Sequence, residues 1–207
     1  ISQQYKNYLF NLGNVSAPFK DIKTVYVDEA QDKVYVGAHA GGMMALHRKS
    51  GHVEYYNSQN SNLPSNNIYS IISDGHEGLW VASLECLFHF DMVKHSFTIV
   101  DKDRNGHKLQ QDNRLLFRDS KKRIWAGGKM GVSVFNQIGT SLLINTDFQI
   151  VSILKQAFVN CFYESSSQYI WIGTRNGLFA LKEGDKQFLQ YTTANGLPSN
   201  VIYGILE

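Results

Sequence analysis

Cysteine, proline and net charge are what this sequence has least of. Its 207 residues include 2 cysteines and 3 prolines, with 20 Lys and Arg against 18 Asp and Glu. Two thiols in unlike places, Cys86 in a turn and Cys161 in an apolar run, make no disulfide framework, and neither has metal-knuckle spacing. Pro18, Pro64 and Pro198 all fall in connections, so the apolar runs between them are free to form ladders. The longest basic block is Lys121-Lys122-Arg123, which excludes the electrostatic footprint of a nucleic-acid binder. No apolar run approaches the ~18 residues of a membrane span. Residues 1–10 lack the basic start, apolar stretch and cleavage site of a secretory leader, so any signal or anchor is expected outside this chain.

Catalytic constellations are equally scarce. The 7 histidines, at 39, 47, 52, 76, 89, 95 and 107, form no HxH, HExxH or His-Cys spacing, and no metal or cofactor is expected. The Gly-rich stretches 37–42 and 126–131 lie in strand-to-strand turns, where glycine supplies positive φ, and not before a helix that could cradle a phosphate. No GxSxG elbow occurs, and the segment is expected not to be an enzyme.

What the sequence has in abundance is one repeated hairpin. YIWIGTRNGLFAL (169–181) reads as two short apolar strands broken at Arg175-Asn176-Gly177, and the pattern recurs at 33–46, 78–90 and 123–135. The aromatic residue opening each copy, Tyr35, Trp80, Trp125 or Trp171, follows its predecessor by 45, 45 and 46 residues. Strand-rich repeats of this length are the signature of β-propeller blades. Before each hairpin stands another strand ending in an acid (19–28, 68–74, 112–119, 157–164), and after it a fourth (52–57, 95–100, 140–145, 186–193). The expected fold is therefore all-β, built from four-stranded antiparallel meanders with little helix.

Sliding the repeat frame along the chain places blades at 19–61, 62–108, 109–155 and 156–195. Residues 1–13 are then the outer strand of a preceding blade and 196–207 the inner strand of a following one. The tryptophans recur at one fixed place in the second strand, so they are expected to fill equivalent packing positions between blades and not to act as sugar-stacking platforms.

At LPSNNIYSIISDGHEGLWVAS (63–83), GLPSNVIYGILE (196–207) and IWIGTRNGLFAL (170–181) the chain resembles the two-component regulator propeller repeats. The third repeat departs most, with Gln110-Gln111-Asp112-Asn113 in place of Leu-Pro-Ser-Asn and Ala126-Gly127-Gly128 in place of Ile-Gly-Thr. The resemblance implies the periplasmic sensor region of a hybrid two-component histidine kinase of Bacteroides type, recognising a glycan-derived oligosaccharide and signalling to genes of polysaccharide use. Its implied partners are that oligosaccharide, the remaining blades and kinase of the same polypeptide, and a second copy of the receptor in a homodimer. A protein-protein scaffold, or a propeller lyase or glycosidase, is the alternative.

Ligand contacts are expected where side chains vary while the frame repeats. In a meander, the turn between second and third strands shares a face with the connection between blades, and loops on a rigid scaffold carry function. The candidates on that face are His39, Glu85, Lys129, Arg175 and Asn176 from the turns, with Asn67, Arg114 and Asn160 from the connections. Because His39, Arg114, Lys129 and Arg175 are basic or can become so, the sequence favours an anionic saccharide.

Overall fold

A computed structural model describes residues 21–109, 112–146 and 154–207. It holds four antiparallel four-stranded sheets, each a meander in chain order, and these are β-propeller blades. Blade 1 contains β1 (Ile22–Asp28), β2 (Lys33–Ala38), β3 (Gly42–His47) and β4 (Val53–Tyr56). Blade 2 contains β5 (Ile68–Ser73), β6 (Gly78–Ser83), β7 (Leu87–Asp91) and β8 (Ser96–Val100). In blade 3 the strands are β9 (Asn113–Arg118), β10 (Arg123–Gly128), β11 (Gly131–Ile138) and β12 (Ser141–Ile144). Blade 4 has β13 (Val159–Glu164), β14 (Tyr169–Thr174), β15 (Gly177–Lys182) and β16 (Leu189–Tyr191), followed by a 3-10 turn, Thr193–Asn195. The expected strand at 1–13 lies outside the described residues.

The core sits at the joints between blades. Tyr35 clusters with Ile68, Ile71, Phe88 and Phe90 of blade 2. Trp80 clusters with Leu116, Ile124, Phe135 and Leu142 of blade 3, and Trp125 with Val159, Ile170, Ile172 and Phe179 of blade 4. A buried aromatic with a polar tip needs a partner for that tip. The Tyr35 hydroxyl meets Met92 Sδ at 3.1 Å, Trp80 Nε1 donates to Gln137 at 3.0 Å, and Trp125 Nε1 donates to Asp119 at 2.8 Å. Glycine in the second strand lets the next blade approach: a β-carbon on Gly37 would overlap Ile68, and one on Gly127 would lie 2.8 Å from Val159 Cγ1.

The Leu-Pro-Ser-Asn lead-in is a joint as well. Asn66 accepts from the Gly42 N–H of blade 1 through its carbonyl and from Ser58 N–H through its side chain, both at 2.9 Å. Asn200 repeats both bonds, from Gly177 N–H at 2.7 Å and Thr193 N–H at 2.8 Å. The segment after Asn200 runs along blade 4, with Ile202 N–H donating to the Thr174 carbonyl at 2.8 Å. Residues 201–207 find no second strand among the described residues and so form no ladder of their own.

The turns that follow the first strands are closed by Asp in blades 2 and 3 and by Ser in blade 4. Asp74 and Asp119 do close their own turns, accepting from Gly78 N–H at 3.1 Å and Arg123 N–H at 2.8 Å. In blade 4 that task falls to Ser165, whose hydroxyl accepts from Tyr169 N–H at 3.2 Å. Glu164 sits one position earlier and reaches back to blade 3, accepting from Ser120 N–H at 2.7 Å and Oγ at 2.6 Å. Glu207 makes the same pair of bonds to Ser166 of blade 4.

Candidate functional site

Every blade carries a β-bulge at the same place, where the first strand begins. The pairing of β1 with β2 skips from Ile22 to Thr24, and that of β5 with β6 from Ile68 to Ser70. The pairings of β9 with β10 and of β13 with β14 skip in the same way, from Asn113 to Leu115 and from Val159 to Cys161. The residues left over are Lys23, Tyr69, Arg114 and Asn160. A bulge frees one residue from the ladder and re-aims its side chain. Here it presents four unlike side chains from a frame that otherwise repeats.

One of them, Tyr69, meets a turn between second and third strands. His39 stands edge-on to Tyr69, with ring centroids 6.1 Å apart. The Arg114 guanidinium lies 5.4 Å from the Tyr69 ring and 5.6 Å from the Phe158 ring. Arg175 covers Phe158 at 4.1 Å, and its N–H donates to the Phe158 carbonyl at 3.0 Å. His39, Tyr69, Arg114, Phe158 and Arg175 thus form a line of rings and guanidinium groups across four blades. Guanidinium groups held over ring faces lose freedom while keeping their donors available.

A second network joins the turns of blades 1 and 2. Glu85 accepts from Ser65 Oγ at 2.6 Å and from Asn67 Nδ2 at 3.2 Å, and Asn67 accepts from the Ala40 N–H at 3.0 Å. Burial works against ionisation of Glu85, but the hydrogen bonds from Ser65 and Asn67 outweigh it and hold the carboxyl below its usual range.

Carboxylates offset much of the positive charge expected here. Lys23 lies 2.7 Å from Asp21, and Arg114 Nε donates to Asp112 at 2.9 Å. Arg175 and Lys129 are exposed and have no recorded carboxylate partner among the described residues. Asp112 has positive φ, 61°, and its N–H is tied to the Leu84 carbonyl of blade 2 at 3.0 Å. Its own carbonyl occupies the space a β-carbon on Gly128 would need. The two departures of the third repeat, Asp112 in the lead-in and Gly128 in the second strand, therefore fit one another.

The remaining candidates are placed differently. Asn160 donates its amide to the Ile202 carbonyl at 2.9 Å, which ties it to the segment that follows blade 4. Asn176 is exposed, with its N–H donated to Thr174 Oγ1 at 2.9 Å. Lys129 is exposed in the turn between β10 and β11. Lys23, Tyr69 and Phe158 were missed from sequence, although a bulge position that differs in type from blade to blade was the available signal. Among the described residues no three His, Cys, Asp or Glu side chains converge on a cation site, and no helix is long and apolar enough to cross a membrane.

Comparison with known proteins places this geometry. Residues 153–176 match the family described as two component regulator propeller. The extracellular domain of a hybrid two component system from B. thetaiotaomicron superposes with a TM-score of 0.68 at 19% identity over 89% of this chain and 25% of its own. The extracellular domain of a one component system from the same organism gives 0.70 at 17% identity, over 88% of this chain and 24% of its own. An ancestral GH74 enzyme gives 0.63 at 15% identity over 85% of this chain and 24% of its own. This chain thus spans about a quarter of the length of these structures. No curated protein matches the sequence. The chain is a run of β-propeller blades, with a segment at 153–176 that matches the two component regulator propeller, and it shares its fold with extracellular domains of bacterial two component systems.

Proposed function

We propose that this chain is part of the periplasmic, ligand-sensing propeller of a hybrid two component sensor kinase, and that the face bearing the bulges takes an oligosaccharide. The observation that carries the reading is the bulge itself: four blades repeat their frame and release Lys23, Tyr69, Arg114 and Asn160 from it onto a common rim. A rigid scaffold presenting unlike polar and aromatic groups suits a ligand with many hydroxyls. Arg114 and Arg175 grip oxygen atoms, and Glu85 with Asn67 reads hydroxyls beside them. Four rim cations (Lys23, Arg114, Lys129, Arg175) stand against three carboxylates (Asp21, Glu85, Asp112), so an acidic group on the sugar adds affinity mainly through Arg175 and Lys129. Occupancy is passed to a kinase in the same polypeptide, which works as a homodimer.

Calorimetric titration of the intact protein with oligogalacturonate and with neutral malto-oligosaccharides, each at two salt concentrations, tests this. Saturable binding of the acidic sugar is expected, with a severalfold preference over the neutral one that narrows as salt screens the rim. The Arg114→Ala/Arg175→Ala variant should bind at least tenfold more weakly. Saturable binding that this variant leaves unchanged, or no binding of either sugar, overturns the proposal.

A further inference from the structure

The opposite face, made by the turns between first and second strands and between third and fourth, holds a cleft of about 390 Å³ at the joint of blades 2 and 3. Two departures from the repeat make it. The second strand begins with Lys33, Arg123 or Tyr169 in blades 1, 3 and 4, but with Gly78 in blade 2. Opposite the repeat aromatic the third strand carries Ala45, Val134 or Ala180 in those blades, but His89 in blade 2. The changes are coupled, since a β-carbon on Gly78 would overlap both Asp74 Oδ2 and His89 Nε2.

Blade 3 shows what fills the equivalent space. The Arg123 guanidinium sits on Asp119, lies 5.8 Å from the Trp125 ring, and donates through Nη2 to Glu183 at 2.8 Å. Blade 2 has the carboxylate and the ring, Asp74 and Trp80, without the arginine. Its Asp74 is held by His89, with Nε2 2.8 Å from Oδ2 and both side chains more than nine-tenths buried. The contact of Nε2 with Asp74 leaves Nδ1 as the second polar atom of the ring. That nitrogen has no hydrogen-bond partner among the described residues, and the ring lines the cleft beside Glu77 and Asp91. Lys94 is the cation of the lining, 3.2 Å from Asp91, while Arg118 and Lys122 line a separate cleft across His76 and Gly139.

We propose that this cleft is a second binding site, distinct from the bulge-bearing rim, and that it takes a guanidinium group, as a free small molecule or as an arginine side chain. A carboxylate, Glu77, with no cation partner among the described residues, beside Asp74, whose counterpart in blade 3 carries an arginine, favours a cation with several N–H donors. The probes are L-arginine amide, its neutral isostere L-citrulline amide, and the tripeptide Gly-Arg-Gly, titrated into the intact protein by calorimetry. Saturable binding of L-arginine amide is expected, at least tenfold tighter than L-citrulline amide. Tighter binding of Gly-Arg-Gly than of L-arginine amide identifies a peptide as the source, and the reverse identifies a free ligand. The double substitution Gly78→Arg/His89→Val copies blade 3 and should abolish binding while melting at or above the unmodified protein's temperature. Glu77→Gln, at an exposed turn position, should weaken binding severalfold and serves if the double variant does not fold. Equal binding of the charged and neutral probes, absence of saturation, or binding that persists in both variants overturns the site.

Discussion

Trp125 and Trp171 hold the same place in successive blades, yet Trp125 is fully buried and Trp171 only partly so. Blade 4 covers Trp125 with Val159, Ile170 and Phe179. Trp171 packs on Tyr169 and Tyr191 of its own blade, at centroid distances of 5.7 and 6.0 Å, and shares a cleft with Ile205 and Leu206. The sheet around a repeat aromatic therefore supplies part of its burial, and the following blade supplies the rest. Stability in such an array resides at the joints.

The largest test of this contrast is the paired substitution of the two tryptophans. In a protein of these 207 residues Trp125→Ala should cost ~3–5 kcal/mol, the range for removing a fully buried large aromatic, and Trp171→Ala about half as much. Denaturant midpoints at constant slope measure both, and equal losses would erase the distinction. A smaller effect is expected at the glycine holes. Gly37→Ala forces a β-carbon into Ile68 of the next blade and should cost ~1–3 kcal/mol, whereas Gly204→Ala, with open space around it, should stay within ~0.5 kcal/mol.

The smallest effect belongs to the outer edge of the joint between blades 1 and 2. There Glu54 lies 3.3 Å from His95 of blade 2 and 2.9 Å from His47 of its own blade. Burial opposes its ionisation, but hydrogen bonds from Tyr56 and His47, with Lys33 and His95 nearby, outweigh it and hold the carboxyl at about 2. A carboxyl whose folded pKa is depressed contributes stability above its unfolded value, ~4.3, and that contribution fades as pH falls toward 2. After allowance for solvent screening the loss should be about 1 kcal/mol across that window. Thermal melts between pH 5 and 2 should show it, and Glu54→Gln should flatten the curve.

Much of the fold was legible because a repeat reveals itself by spacing. Trp80 and Trp125 could be placed between blades because one packing solution, used again and again, leaves a period in the chain, whereas Trp171, read in the same way, is only partly buried. The bulge could not be read in the same way. It depends on how two strands align, and Asn113-Arg114-Leu115 looks like any other run of three residues until its partner Gly127-Gly128 is set beside it. The candidate site was half legible for a related reason. His39, Arg114 and Arg175 follow from variable positions, but the rings beside them, Tyr69 and Phe158, are far off in sequence, and those of His39 and Arg114 come from neighbouring blades. Of the basic residues read from sequence, Arg114 is met by the carboxylate of Asp112, two residues away in the chain, a pairing that the bulge sets up. Glu164 ends its strand as read from sequence, but its hold on Ser120 of the preceding blade shows only in the fold.

The unpaired residue in each first strand has a consequence for how such a rim can change. Lys23, Tyr69, Arg114 and Asn160 stand outside the paired register of their sheets, so exchanging one leaves the ladder in place and costs only its own side-chain bonds, such as those of Arg114 to Asp112 and of Asn160 to Ile202. Recognition and folding are thereby written on separate residues. A lineage that duplicates blades can alter one letter of the rim at a time, and an engineer can randomise the same four sites as a library on a constant scaffold.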